Sequence, residues 1–419
     1  MKARELAFQF LKDICIQKKY SNLLLRNELD KAQQKDKGLI TQIVYGTLQN
    51  YRLCRYQWTS YVRNMPDIEV CILLDMSVYQ LLYMDKVPAY AIINESVDIA
   101  KKRIHQDYGR LVNALLHKVN EHKEIAISGT KEEVLAIQTS HPLWLVNMWS
   151  AQYGYETSAK ICLSNMETKP NAARVNTNKI DKARIMKEDA LFIKGNISED
   201  ALIYQGSSLA QTSYYKDGFL SIQDEASQLV GRFVGPLQGE SILDVCSAPG
   251  SKACHMAELM KNEGKVIAGD IYEHRVELIK EGAIRLGLDI VEAIVMDATQ
   301  LNEIGDTCFD RVLCDVPCSG YGVLARKSDI KYHMQSGDMD TLIPLQQQIL
   351  EKSSSHVKEN GYLVYSTCTL NKKENEKQIE KFLKGHEDFE LVQQETIFPY
   401  TYHSDGFFMA KMKKIKKNS

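Results

Sequence analysis

The chain has 419 residues, too many for one ordinary hydrophobic core, so two or three domains are expected. Apolar residues make up 44% and charged residues 25%, the balance of a soluble globular protein, and no run of 18 apolar residues offers a membrane span. The formal net charge of −2 excludes a protein that is basic throughout. Ten cysteines without a C-x-x-C spacing exclude a disulfide scaffold and a typical zinc site, which fits a reducing, cytoplasmic setting. The start, Met1-Lys2-Ala3-Arg4-Glu5, opens a charged amphipathic pattern and not a secretory signal.

Residues 1–130 read as a helical bundle. Leu6, Ala7, Phe10, Leu11 and Ile14 recur at helical spacing, as do Leu39, Ile43, Val44, Thr47 and Leu48. Further helices are expected over Ile68–Met84, Ile92–Lys102 and Leu111–Val119, punctuated by Pro66, Pro88 and Gly109. The first sixty residues carry eleven Lys/Arg against five Asp/Glu, which suits a solvated face or an electrostatic footprint for nucleic acid. The basic stretch Lys411–Lys417 reads more simply as a solvated, disordered end. Residues 131–165 read as a linker with a short helical segment, and 166–216 as a small α+β module, with a strand over Ala173–Thr177 and a helix over Ile180–Glu188.

Over 217–419 strands and helices alternate. Strands are expected at Ser241–Cys246, Lys265–Gly269, Ala293–Met296, Arg311–Val316 and Gly361–Tyr365, and helices at Lys252–Lys261, Glu273–Leu286 and Thr341–Val357. Two more strands near Phe389–Val392 and Gly406–Met412 complete the set. The rhythm implies a parallel, doubly wound sheet, whose ligands bind at the carboxyl edge of the strands.

The first of those strands runs through Asp244 and Val245 into Cys246-Ser247-Ala248-Pro249-Gly250-Ser251-Lys252. Small residues there let a ligand approach the backbone. The loop is neither G-x-G-x-x-G nor G-x-x-x-x-G-K-[ST], so phosphate binding is not indicated. Asp270, twenty residues after Gly250, stands where an acid accepts hydrogen bonds from ribose hydroxyls. The third strand ends in Asp297, within reach of an adenine amine, and the fourth ends in Asp315. Any one of these acids reads equally well as a helix cap. Four together, with Asp244, describe a nucleoside site that repels pyrophosphate and suits a sulfonium, which points to S-adenosylmethionine.

Two thiols lie at the same edge, Cys318 in Asp315-Val-Pro-Cys-Ser-Gly320 and Cys368 in Tyr365-Ser-Thr-Cys-Thr369. Either alone reads as a buried structural thiol. Together they suit chemistry on cytosine. A thiolate adding to carbon 6 makes carbon 5 nucleophilic, and a base must then remove the carbon-5 proton before the thiolate leaves. Asp315 can hold the ring near its third nitrogen.

These motifs resemble those of the Sun/NSUN RNA 5-methylcytosine methyltransferases. The resemblance covers about 217–412 and includes Gln223-Asp-Glu-Ala-Ser227 before the sheet and Arg326-Lys-Ser-Asp-Ile-Lys331 after the Pro-Cys motif. Upstream, Lys37-Gly-Leu-Ile-Thr-Gln-Ile-Val-Tyr-Gly-Thr-Leu48 resembles a NusB-like RNA-binding domain. Such a domain fused to this catalytic domain is the arrangement of bacterial small-subunit rRNA cytosine-5 methyltransferases. The resemblance implies a multidomain chain: an all-α NusB-like bundle, a small α+β RNA-recognition-like module, and a Rossmann-like class I methyltransferase α/β domain. It implies Cys368 as nucleophile and Cys318 as the thiol of product release. The cofactor site would comprise Cys246, Ser247, Ala248, Pro249, Gly250, Ser251, Lys252, Asp270, Asp297 and Asp315. The implied partner is 16S rRNA, free or in a partly assembled subunit, bound by a monomer. Ser251 stands where many members have a second Gly, and Ala253 where many have Thr, whose hydroxyl would add a hydrogen bond.

Three other readings compete. By analogy with DNA cytosine-5 methyltransferases, Cys318 of the Pro-Cys motif would attack. The chain could be an RNA-binding assembly or antitermination-type factor with an inactive methyltransferase-like domain, although the set Asp270, Asp297, Cys318 and Cys368 is intact. An amino methyltransferase would carry an aromatic residue after the Pro-Pro of its fourth-strand motif, and Asp-Val-Pro-Cys has none.

Overall fold

The structure is a computed structural model and describes residues 2–122 and 125–416. Met1 and Lys417, which belong to the two terminal patterns above, lie outside them. The chain forms two units, Met1–Glu167 with Leu324–Ser336, and Thr168–Val323 with Gly337–Ser419. No helix among the described residues is long and apolar enough to cross a membrane.

The first unit is helical, with long helices at Ala3–Cys15, Lys37–Thr59, Ile68–Tyr83, Ala89–Ile99 and Tyr108–Glu121. Ile68–Tyr83 is the bundle's centre, because every residue from Val70 to Leu81 is buried. Its buried polar groups are paired, as burial requires. Asp75 accepts from Trp58 Nε1 at 2.9 Å and Arg55 Nη2 at 2.6 Å, and Gln80 accepts from Arg4 Nε at 2.6 Å.

Residues 131–165 are more ordered than a linker. They form helices Lys131–Gln138, Leu143–Tyr153 and Tyr155–Ser164. The first is opened by a capping box, in which the Thr130 hydroxyl accepts from Glu133 N and Glu133 accepts from Thr130 N.

Residues 324–336 pack within this helical unit, although they lie in sequence amid the methyltransferase-like segment. Asp329 accepts from Ser21 N at 3.2 Å, and Tyr51 donates to Lys331 O at 3.1 Å. Lys331 is fully buried and donates to the carbonyls of Gln49 (3.3 Å) and Thr139 (3.5 Å).

In the second unit a small antiparallel sheet comes first. Its strands are β1 (Asn171–Val175), β2 (Phe192–Lys194), β3 (Ala201–Tyr204) and β4 (Leu220–Ile222), in the order β2-β3-β1-β4. The fourth strand lies just past residue 216. Phe192, Leu202, Ala173, Val175 and Leu220 make its core with Ile185 of helix Lys182–Glu188.

Seven strands follow: β5 (Ser241–Asp244), β6 (Lys265–Asp270), β7 (Val291–Val295), β8 (Phe309–Asp315), β9 (Val357–Thr367), β10 (Phe389–Ile397) and β11 (Phe407–Lys414). Their order is β10-β11-β9-β8-β5-β6-β7. The five strands β9-β8-β5-β6-β7 are parallel, but β11 runs antiparallel to both β9 and β10. The sheet is therefore mixed and not wholly parallel. The connection from β10 to β11 is too short for the crossover that parallel neighbours need. β11 also claims Lys411–Lys414, whose basic pattern read as a loose end. Lys411 Nζ lies 5.2 Å from the Tyr362 ring centre, and Lys414 Nζ donates to Val357 O at 2.9 Å.

The chain starts at β5, moves outward to β6 and β7, and returns to β8 on the other side of β5. That reversal opens a crevice at the carboxyl edge between β5 and β8.

Candidate functional site

The loop after β5 is built for close approach of a ligand. Ser247 N donates to Gly269 O at 2.8 Å, and Gly250 N to Ser247 O at 2.7 Å. The Ala248–Pro249 peptide is cis, and Gly250 has φ +94°. A Cβ on Gly250 would stand 3.1 Å from Ile279 Cα, so both backbone angle and space require glycine. Helix Ser251–Leu259 starts directly after it. Ala253, where a threonine was the alternative, is fully buried in the apolar layer between this helix and the sheet.

The four acids divide into two kinds. Asp270 and Asp297 each spend an oxygen on their own turn. Asp270 Oδ1 accepts from Tyr272 N at 3.1 Å, and Asp297 Oδ1 accepts from Thr299 N at 2.9 Å and Thr299 Oγ1 at 2.7 Å. Asp297 sits two residues beyond β7, not at its last position. Asp244 and Asp315 are turned toward other side chains, Ser247 for the first and Ser366 and Lys252 for the second. Asp244 is fully buried, and neither of its oxygens makes a well-aligned hydrogen bond. Burial, with the charge of Asp315, pushes its carboxyl up to about 7. The Ser247 hydroxyl beside it is likewise left without an aligned partner. Burial also pushes the Cys246 thiol well above its usual range, so this thiol is an uncharged lining group.

Asp315 sits between two donors. Ser366 Oγ donates to its Oδ1 at 2.6 Å, and Lys252 Nζ lies 2.8 Å from its Oδ2. Lys252 Nζ also lies 5.3 Å from the Phe407 ring centre. Burial alone would pull the Lys252 ammonium down, but Asp315 and the neighbouring Cys368 hold it above its ordinary value.

The two loops after β8 and β9 bring the thiols together. Cys318 Sγ and Cys368 Sγ are 3.4 Å apart, and both residues are partly exposed. The Cys318 thiol is pushed well above its usual range by its hydrogen bond to Cys368, by burial, and by the charges of Cys368 and Glu374. Glu374 thus stands on the Cys318 side of the pair and Lys252 on the Cys368 side, so opposite charges flank the two thiols.

The candidate catalytic and cofactor residues all lie in this second unit, with the loop Cys246–Lys252 following β5, whereas the Arg326–Lys331 motif lies in the helical unit. Several supporting residues escaped notice. Glu374 is fully buried and accepts from Ser319 and Asn371, one on each thiol loop. Arg174 in β1 is fully buried against Glu258 and donates to Ser251 O. The string Asn371-x-x-Glu374-Asn375, so soon after Cys368, was the available signal for the first. For Arg174 there was none.

A polar cradle with a buried carboxyl and hydroxyl, a left-handed glycine and two acids at or just beyond the ends of β6 and β7 fits a cationic nucleoside such as S-adenosylmethionine. The chain is 38% identical over 439 aligned positions to the probable ribosomal RNA small subunit methyltransferase B of Bacillus subtilis (strain 168), covering 98% of each chain. It belongs to the ribosomal RNA small subunit methyltransferase B family. Three family descriptions match in turn: the NusB family over residues 1–121, the ferredoxin-like domain of RsmF/B-like methyltransferases over 141–190, and the 16S rRNA methyltransferase RsmB/F over 232–413. Among solved structures, PH0851 matches with a TM-score of 0.83 and 25% identity over 99% of each chain. NSun6 from Pyrococcus horikoshii, crystallised with SFG, an analogue of S-adenosylmethionine, matches in fold, with a TM-score of 0.61 at 20% identity over 66% of this chain and 99% of its own. As a member of this methyltransferase family, the protein takes S-adenosylmethionine as its methyl donor.

Proposed function

We propose that this protein methylates carbon 5 of a cytosine in 16S rRNA through a covalent bond between Cys368 and carbon 6 of the base. The observation that carries this reading is the pair of thiols 3.4 Å apart with Lys252 on the Cys368 side. When bound, S-adenosylmethionine supplies an electrophilic methyl group. Cys246–Lys252, Asp270, Asp297 and Asp315 form its site.

Each step then falls to a named group. The Cys368 thiolate forms the S–C6 bond, and the ring electrons move toward carbon 5. Asp315, fixed by Lys252 and Ser366, holds the ring edge near its third nitrogen. Forming the S–C6 bond removes the thiolate charge that stands 3.4 Å from Cys318 and opposes its ionisation. Cys318, its own proton released to water, takes the carbon-5 proton of the methylated ring. The C6–S bond then breaks and returns Cys368 as a thiolate.

The helical residues 1–130 act as an RNA-binding domain, 166–216 as an RNA-recognition-like module and 217–419 as the methyltransferase. A cytosine must be unpaired or flipped to reach the thiols, so the substrate is free or partly assembled small-subunit rRNA, met in the cytoplasm by a monomer. The excess of Lys/Arg in the first sixty residues supplies affinity that falls as salt rises.

The test is transfer of labelled methyl groups to small-subunit rRNA lacking the modification, with mass mapping of the product. Cys318→Ala is expected to accumulate a covalent RNA–protein band on a denaturing gel, and Cys368→Ala to form none. The reverse pattern assigns the attack to Cys318. Absence of any incorporation replaces the enzyme with an RNA-binding factor.

A further inference from the structure

Two thiols 3.4 Å apart divide their labour only if something fixes the loops that carry them. Each loop is short and follows a different strand, Cys318 after β8 and Cys368 after β9. The group between them is the carboxylate of Glu374, which is fully buried. Its Oε2 accepts from Ser319 N and from Gln346 Nε2, each at 2.9 Å. Its Oε1 accepts from Ser319 Oγ at 2.6 Å and from Asn371 Nδ2 at 2.9 Å. Ser319 is the residue after Cys318, and Asn371 lies three after Cys368.

We infer that Glu374 is a positioning residue that clamps the Cys318 loop to the Cys368 loop and so fixes which thiol attacks and which assists release. This rests on the reading that both thiols act on cytosine. The clamp is reinforced on both sides. Gln346 Nε2 also donates to Pro317 O at 2.9 Å, just before Cys318. Thr369 Oγ1 lies 2.7 Å from Ser319 Oγ and accepts from Tyr321 N at 3.2 Å. The Tyr365 hydroxyl donates to Glu374 O at 2.7 Å, which seats the clamp on β9.

The chemistry follows from the choice of acid. A neutral side chain of the same shape would present an NH2 group to partners that are themselves donors. The negative charge also stands beside Cys318, where it favours the protonated thiol. Lys252 on the Cys368 side does the opposite. Charge and distance therefore make two chemically identical side chains unequal.

Glu374→Gln keeps volume and loses the charge and one acceptor. In the full-length protein, S-adenosylhomocysteine affinity and the KM for rRNA should stay near wild type, while kcat falls by about a hundredfold, as for a misplacement near 1 Å. Timed alkylation with iodoacetamide, read peptide by peptide, should show Cys318 reacting several-fold faster at pH 7.5 than in wild type, with its pH profile moved down. Glu374→Asp, which keeps the charge, should restore the Cys318 profile in part. Should Glu374→Gln not fold, Ser319→Ala removes the Oγ that meets both Glu374 and Thr369 and should move the Cys318 rate in the same direction. Wild-type alkylation profiles for both thiols in the variant that folds would overturn the inference, even if its melting temperature dropped. The alkylation arm does not use RNA. Wild-type protein that makes no 5-methylcytosine would defeat the cytosine reading alone, and unchanged thiols in a protein that does make it would defeat the clamp alone.

Discussion

Arg174 Nη1 donates to the carbonyl of Ser251 at 2.6 Å, so the first turn of the helix behind the cofactor loop hangs on a side chain from the small sheet. The same guanidinium pairs through Nε and Nη2 with Glu258, each at 2.8 Å, and bonds Gln223 as well. Both charged groups are buried. Arg174→Met should therefore cost about 3–5 kcal/mol by stranding Glu258, and Arg174→Met with Glu258→Leu should recover much of it. Urea denaturation of the single and double variants checks this. Calorimetric titration with S-adenosylhomocysteine should show weaker binding for both, because neither restores the donor to Ser251.

How far the sequence could be read depends on where a residue's partners lie. Asp244–Lys252 and the two thiol motifs were legible because each is a short apolar strand followed at once by small or reactive residues. Such a local pattern places a side chain at a sheet edge without knowledge of the rest. Arg174 was not, since it works through partners in other segments, with Glu258 lying 84 positions away, and Glu374 showed only its local Asn371 and Asn375 neighbours, not its bonds to Ser319 and Gln346. The antiparallel course of β11 was hidden for a related reason. Alternation reports that a strand exists and says nothing of its direction. Thr130 and Glu133 carry a helix-start signature, but the composition beyond them suggests a linker with only one short helical segment, where three helices form. The excursion of residues 324–336 into the helical unit left no trace in a pattern that is polar and short.

Gly250 gives a narrower test of the cofactor loop. With φ at +94° and Ile279 Cα at 3.1 Å from a built Cβ, Gly250→Ala is strained by about 1–3 kcal/mol. The loop can relieve that only by moving from its ligand. S-adenosylhomocysteine affinity should fall by about tenfold, roughly 1.4 kcal/mol. Gly385→Ala, where a Cβ meets nothing, is the control and should leave binding unchanged.

The buried carboxyl of Asp244 makes the ligand-free protein sensitive to pH. Its folded value is raised to about 7 from an ordinary 3.8. Between those values the native state holds a proton that the unfolded chain has lost, so stability falls as pH rises from about 4 through 7. Asp244→Asn removes that term. Its unfolding midpoint should match wild type near pH 4 and exceed it above pH 7. A gap that is constant with pH would show that Asp244 is not the titrating group.

Lys331 has the opposite sign. In the helical unit it is fully buried, and burial lowers its ammonium to about 7 from 10.5, with Arg52 nearby lowering it further and Cys162 opposing. Between pH 7 and 10.5 the unfolded chain binds a proton that the native state does not, so stability rises with pH across that window, by at most about 1.4 kcal/mol per pH unit. Lys331→Met abolishes the dependence and leaves the carbonyls of Gln49 and Thr139 without this donor, at about 1 kcal/mol each. The loss of those bonds is the same at every pH, whereas the penalty for burying the charge is not. Lys331→Met should accordingly compare best with wild type at pH 7 and progressively worse at pH 8 and 9. Urea midpoints at the three values decide it, and parallel curves would mean that Lys331 keeps its proton inside the fold.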